Sequence, residues 1–282
     1  MAKPNSTAIG LIPSQTPAPI PRANILGVGV SAVNMEMALA TIDGWIADRA
    51  AHYVCVTPVH SIMECYDAPD VRHIYNRAGM VTPDGMPVVW LTRSAGHPHV
   101  RRVYGPDLML ALCAHSMARG YRHYFYGGAD GVAEELARTL QARFPGLAVA
   151  GWESPPFRDL SAQEDAAVCA RIRAAQPDIV WVGLGAPKQE RWMAGHVTQL
   201  GVPALIGVGA AFDFLTGRKP QAPRWMQRSG LEWLFRLASE PRRLFRRYLS
   251  ANSRFLWLIA LQRLGLRDFP LENQSSDLSS TV

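Results

Sequence analysis

The sequence is poor in cysteine, in long apolar runs and in the short motifs that mark common nucleotide and hydrolase sites. Its 282 residues include 4 cysteines, Cys55, Cys65, Cys113 and Cys169, with no CxxC pair and no metal-ligand spacing. That excludes a disulfide-stapled scaffold and fits reduced, buried thiols of a cytosolic protein. The longest apolar run, FLWLIAL at 255–261, falls far short of the ~20 residues needed to span a bilayer. Pro4, Pro13, Pro17, Pro19 and Pro21 interrupt any stretch that could act as a signal peptide, so 1–24 reads as a flexible Pro-rich tail. No GxGxxG is present, which disfavours a dinucleotide-dependent dehydrogenase, and GxxxxGK[ST], HExxH and GxSxG are missing too. No DxD carboxylate pair stands where a divalent ion could bridge a nucleotide diphosphate.

What is present is an ordinary globular composition with an uneven charge. The hydrophobic fraction is 48% and the net charge +6, from 29 Lys and Arg against 23 Asp and Glu, so disorder throughout is excluded. Residues 218–254 hold ten cations against Glu232 and Glu240, a net of +8, which leaves −2 for the rest. A slightly acidic body therefore carries a strongly basic C-terminal piece. Nucleic acid, an anionic membrane and phosphorylated ligands all answer to such a segment.

From about residue 25, short apolar runs of β type alternate with helical stretches, the pattern of an α/β fold with a mainly parallel sheet flanked by helices. Strands are expected at 53–57, 123–126, 147–150, 178–182 and 204–208. Helices are expected at 34–49, 59–67, 106–119, 131–143, 161–175 and 187–199. Several strands run straight into glycines, in YGGADG, VGLGAP and GVGAAFDF, where backbone N–H groups can approach a phosphate. Segments 223–240 and 241–264 read as helices, the second basic and amphipathic. The domain reading is a catalytic body over 25–217, a C-terminal helical membrane-associating appendage over 218–265 and a flexible tail over 266–282.

Several residues are candidates for chemistry. Asp84 lies in VTPDGMP, either an ordinary Pro-Asp-Gly surface turn or a carboxylate held rigidly as a general base. Arg102, beside Arg101, can meet an anion, whereas Asp107 fits a helix first turn. In GLGAPKQERW, Gly183 and Gly185 precede Lys188 and Gln189. This is a surface helix start or a cradle for a diphosphate and a sugar oxygen. Asp213 lies between two aromatics, as a cap or as an acceptor for a ligand hydroxyl or base. His60 follows the strand end at Thr57 and is either structural or a second proton-transfer group. The other histidines form no cluster, so the reading assigns no metal and no cofactor.

Taken in order, VTPDGMPVVW, RVYGPDLM, YFYGGADGVAEE, PPF, PDIVWVGLGAPKQERW and the long run from IGVGAAFDFLTG to PRRLFRRYL resemble the WecG/TagA/CpsF glycosyltransferases, glycosyltransferase family 26, over about residues 25–255. The resemblance implies a Rossmann-like body and transfer of a sugar, with inversion, from a UDP-sugar to a polyprenyl-diphosphate-linked saccharide. The sugar class is N-acetylmannosamine, its uronic acid or glucose, and the product is a cell-surface or exopolysaccharide. It further implies Asp84 as the base, Arg102 on the donor diphosphate or acceptor, and Thr57 lining the pocket. Gln189 would face sugar or phosphate, and Asp213 the nucleoside. Arg236, Arg243 and Arg246 match arginines that close the pocket and meet the membrane. Val59 stands where many members carry Asn, with His60 next, which leaves the shape of the sugar pocket open.

On this reading the enzyme is a metal-independent hexosyltransferase, cytoplasmic and peripheral on the inner face of the bacterial cell membrane. Its partners are the UDP-sugar donor, the lipid-linked acceptor and the membrane surface, with no nucleic acid. The exposed apolar stripe also suits a second copy of the chain in a homo-oligomer. Two alternatives compete. A basic nucleic-acid-binding protein would use Trp225, Trp233, Phe235 and Phe245 for stacking, although their helical spacing with Leu fits packing better. A nucleotide-sugar-modifying enzyme would need a dinucleotide loop that the chain lacks.

Overall fold

Runs rich in Val, Ile and aromatic residues form the strands of the main sheet, because such side chains pack well on a surface buried on both sides. The computed structural model describes residues 20–239 and 241–271, with the backbone alone for Arg236, Ser239 and 241–251. The sheet strands are β3 (His52–Thr57), β4 (Met80–Pro83), β5 (His123–Gly127), β6 (Val149–Glu153), β7 (Ile179–Gly183) and β8 (Ala204–Gly207). They are parallel, in the order β4-β3-β8-β7-β5-β6. Before them, β1 (Arg22–Ile25) and β2 (Val28–Ser31) form an antiparallel hairpin.

Right-handed crossovers place helices on a face according to the direction in which the chain moves across the sheet. Leftward moves put α2 (Val59–Asp67), α3 (Pro69–Arg77), α7 (Ala162–Ala175) and α8 (Lys188–Leu200) on one face, where Ile62, Val71, Tyr75, Ile172 and Met193 pack on Tyr126, Val180 and Val182. The other face is covered by α1 (Met35–Asp48), α5 (Gly105–Ser116), α6 (Val132–Arg143) and the short α9 (Ala211–Leu215), packed on Phe125, Ile179 and Trp181. Successive residues of β7 thus alternate between two cores, as the period of two in a strand demands. The α/β, doubly covered, mainly parallel architecture expected from the sequence is the one observed.

The fold departs from the sequence expectations in detail. The segment VTP, expected only as part of a turn, is the edge strand β4, and α4 (Met86–Ser94) follows Gly85 directly. Pro83 can end this strand because it costs an edge strand no ladder bond. The helix expected over 223–240 is two helices, α10 (Arg224–Ser229) and α11 (Glu232–Ser239), parted by Gly230 at φ +79°. A side chain there would also press on Trp90 and Met86 of α4, within 3.1–3.3 Å of an added Cβ. The break therefore fixes the C-terminal helices against the body as well as turning the chain.

The last helix, α12 (Pro241–Arg263), is shared between body and surface. Phe255, Leu258 and Ile259 are buried in the core beside α2, and Arg254 bonds Asp67 at 2.6 Å. Gln262 accepts from the Leu26 N–H at 3.1 Å and donates to the Asn24 carbonyl at 3.2 Å, while Asn24 donates to the Phe269 carbonyl at 2.7 Å. Both ends of the described chain are tied together. Residues 22–24, within the expected N-terminal tail, are paired in β1, and 266–271 lie against Tyr66 through Arg267 and Phe269. Residues 1–19 and 272–282 of the two expected tails lie outside the described residues.

Candidate active site

The strand ends set the site. β3, β4 and β8 are adjacent in the sheet, with Thr57 level with Pro83 and Cys55 level with Gly207. Strand spacing of ~4.8 Å places the β4 end and the β8 end roughly 10 Å apart across Thr57, at the carboxyl edge where open parallel sheets take ligands. Further along, β5 and β7 end in Gly127 and Gly183. An added Cβ on Gly127 would meet the Gly183 backbone at 2.5 Å, so only glycine allows the two strand ends to run this close. The Gly128 N–H then bonds the Gly183 carbonyl at 2.9 Å.

At the β4 end, Asp84 follows the strand and its N–H bonds the Thr57 carbonyl at 3.2 Å. Gly85, at φ +79°, turns the chain into α4, a conformation L-residues rarely adopt. The Asp84 carboxylate is thus held by two strands and a helix start. Arg102 donates from Nε to Asp84 Oδ1 at 3.0 Å, from Nη1 to Gln227 Oε1 at 3.3 Å and from Nη2 to Glu232 Oε2 at 2.5 Å. Its guanidinium also lies 4.1 Å from the ring centre of Tyr104. Asp84 and Arg102 side chains are each 13% exposed and Glu232 18%. Burial opposes the charge on Arg102, but Asp84 and Glu232 outweigh it and raise its pKa.

Thr57 is fully buried, and its hydroxyl donates to the Cys55 carbonyl at 2.9 Å. It shapes the strand end through its backbone bond to Asp84. His60 stands on the first turn of α2, half-buried. Sequence reasoning passed over Glu232, Gln227 and Tyr104. Glu232 did have a signal, as one of two acids among the ten cations of 218–254.

At the β8 end, Gln189 on the first turn of α8 is 4% exposed, and both ends of its amide are engaged. Its Oε1 accepts from the Gly209 N–H at 3.0 Å, and its Nε2 donates to Glu190 Oε1 at 2.8 Å. Gln189 therefore locks the loop after β8 to the start of α8. Gly183 at the β7 end leaves room for the Phe212 ring, 3.0 Å from an added Cβ, and Gly185 at φ +79° turns toward α8. Lys188 reaches Asp159 at 3.3 Å, and Asp213 on α9 pairs with Lys219 at 2.7 Å. Those two groups are therefore ion-paired at the rim of the site. Arg236, Arg243 and Arg246 have side chains outside the described residues.

Glu190 is fully buried beneath this edge. Burial pushes its carboxyl up to about 7, against the hydrogen bonds from Gln189 and the backbone. Sequence reasoning read KQE as a surface helix start or a ligand cradle and missed this acid. Because the folded chain holds that proton to a higher pH than the ~4.3 of a free Glu, stability falls as pH rises from about 4.5 to 7 and the full penalty stands above that. Glu190→Gln keeps the acceptor for Gln189 and should stabilise the chain by on the order of 3 kcal/mol at pH 8, with little change at pH 4.5. Denaturant melts of both proteins at the two pH values check this. A pH-independent difference would assign the effect to packing.

Comparison with known proteins places this arrangement. The pattern of the Glycosyl transferase WecG/TagA/CpsF family matches residues 23–268. The chain is similar to the N-acetylglucosaminyldiphosphoundecaprenol N-acetyl-beta-D-mannosaminyltransferase of Bacillus spizizenii, with 32% identity over 66% of this chain and 70% of the relative. It is 26% identical to the Staphylococcus aureus protein of the same name, over 85% of this chain and 92% of that one. A match over this span, with the Asp84 turn, the Gly-rich strand ends and the C-terminal helices all inside it, establishes that the chain belongs to the WecG/TagA/CpsF family of glycosyl transferases.

Proposed function

We propose that the chain transfers an N-acetylmannosamine-class sugar from a UDP-sugar to a polyprenyl-diphosphate-linked saccharide, with inversion. The observation that carries this reading is the Asp84–Arg102 pair at the end of β4, on the same carboxyl edge of the sheet as the glycine-rich ends of β8, β7 and β5. The acceptor hydroxyl attacks the anomeric carbon and gives its proton to Asp84. The new C–O bond forms as the bond to the donor diphosphate breaks, and UDP leaves with the electron pair. Backbone N–H groups at the strand ends and at the start of α8 take up the charge of the diphosphate. Cationic side chains, in place of a divalent ion, complete this neutralisation, Lys188 by exchanging its exposed partner Asp159 for the diphosphate.

The names of the two relatives support the acceptor class, since both act on N-acetylglucosaminyl-diphospho-undecaprenol. Both names also specify a β-linked mannosaminyl product, which an α-linked nucleotide sugar yields in a single inverting displacement. Docking at the inner face of the cytoplasmic membrane follows from the +8 of 218–254 and from apolar side chains held in solvent. Trp225 is 63% and Trp257 64% exposed, and Trp233, Leu234 and Leu256 are exposed too. No helix among the described residues is long and apolar enough to cross a membrane. Polybasic attraction of ~1 kcal/mol per Lys or Arg near the surface, with interfacial Trp, gives reversible docking.

A panel of UDP-sugars offered with a short polyprenyl-diphosphate N-acetylglucosamine tests the reading, with the product mass and anomeric coupling as readouts. UDP-N-acetylmannosamine should give one added sugar with β configuration, with or without chelator. An α product would exclude inversion, and transfer to no lipid-linked acceptor would exclude the substrate class.

A further inference from the structure

Away from the sheet edge, α7 and α8 bring together three groups with metal-ligand chemistry. Asp165 and Cys169 are four residues apart on α7 and so share one face of the helix. His196 meets them from α8. One ligand atom from each lies within 4.8 Å of the others, and among the described residues this is the one group of three such side chains that converges. Sequence spacing alone gave no sign of it, because the third member comes from another helix.

The histidine supplies a second, independent observation. His196 Nδ1 lies 2.6 Å from the Trp192 carbonyl oxygen, and a carbonyl only accepts, so Nδ1 carries the hydrogen. Its Nε2 faces Asp165 Oδ2 at 2.8 Å. Both ring nitrogens are therefore fixed by neighbours, and Nε2 already lies against the carboxylate that would share the ion. The backbone bond to Nδ1 is also the contact that fixes a metal-binding imidazole in its tautomer. Stacking on Trp192, at 4.7 Å between ring centres, holds the ring in plane, and Trp192 in turn lies 4.6 Å from Tyr126 of β5.

We infer that Asp165, Cys169 and His196 form a structural Zn2+ site that clamps α7 to α8. Thiolate, imidazole and carboxylate together favour Zn2+ over the hard ions Mg2+ and Ca2+, which take oxygen ligands. Bond lengths of ~2.0–2.3 Å at tetrahedral angles separate the ligand atoms by roughly 3.3–3.6 Å, so shifts of about 1–1.5 Å complete the set, with the 2.8 Å Asp165–His196 contact opening to admit the ion. Water supplies the fourth ligand from the half-exposed Asp165 side. Binding breaks the Cys169 S–H bond and releases that proton to solvent. His196 is seven residues past Gln189 on α8, on the order of 10 Å along the axis. The ion therefore stands apart from the transfer site and holds the helix whose first turn carries Gln189.

The untagged full chain, stripped with chelator and reloaded, tests this by metal analysis, Co2+ absorption and thermal melting. Near one Zn2+ per chain should survive gel filtration. Co2+ should give a thiolate charge-transfer band, and Zn2+ should raise Tm. Cys169→Ser should lose the band and the shift, and Asp165→Asn, a surface change that the fold tolerates, should weaken Zn2+ at least tenfold. Equal metal content in wild type and both variants, a Co2+ complex without the thiolate band, or a folded wild type that retains no metal would overturn the site.

Discussion

Asp84→Asn should fold, bind UDP and lose turnover by about 10²–10⁴-fold, the usual contribution of a positioned general base. The substitution is close to isosteric, and the amide oxygen still accepts from Arg102 Nε, where the carboxylate now does at 3.0 Å. The backbone bond from residue 84 to the Thr57 carbonyl does not involve the side chain. What disappears is the basic oxygen that the proposed mechanism uses to take the acceptor proton. With Oδ1 bonded to Arg102, Oδ2 is the atom assigned that role. The readout is kcat with a saturating UDP-sugar, alongside UDP affinity by calorimetry. A variant with wild-type kcat would remove Asp84 from the proton transfer, and one that binds UDP much more weakly would move the residue to the donor subsite.

Arg102→Met should act on stability as well as turnover. It leaves the Asp84 and Glu232 carboxylates, 13% and 18% exposed, without their shared cation. Removing one member of a buried pair costs ~3–5 kcal/mol because the remaining charge is stranded out of water. Partial exposure at this site puts the expected loss near the lower end, about 3 kcal/mol. The same change cuts the tie between the body and α10–α11, since Gln227 and Glu232 are also Arg102 partners. Protease cleavage between residues 217 and 231 should therefore accelerate along with the drop in the denaturant midpoint. Adding Glu232→Leu to Arg102→Met should restore part of the stability and none of the activity. Unchanged stability in the single variant would mean that water already screens the triad.

The C-terminal helices show why a charge count alone is ambiguous. Their +8 was visible at once, and so was the helical repeat of Leu, Phe and Trp. The repeat could not say which residues face lipid and which face protein, because both environments select the same apolar side chains. In the fold Phe255, Leu258 and Ile259 enter the core while Leu256 and Trp257, adjacent in sequence, remain in solvent. Gln189 carries the same lesson for polar groups. The GAPKQE motif marked it as a residue of the site, yet its amide is occupied by Gly209 and Glu190.

The strands buried on both faces were legible, as with DIVWV, because continuous Val, Ile and aromatic runs have few other uses in a chain of this composition. The edge strand β4 was not, since four residues ending in proline carry turn chemistry and only pairing with β3 makes them a strand.

By itself the sequence determined the α/β alternation, the glycine-rich strand ends, the Asp84 turn and the basic C-terminal segment. Each of these is local: it depends on a residue's own propensity or on neighbours within a few positions. Only the tertiary structure decided the partners of Arg102, the burial of Glu190, the two faces of α12 and the meeting of Asp165, Cys169 and His196. Those contacts join residues from 18 to 187 positions apart in the chain. The parallel crossovers bring them together, and no local pattern encodes a crossover's far end.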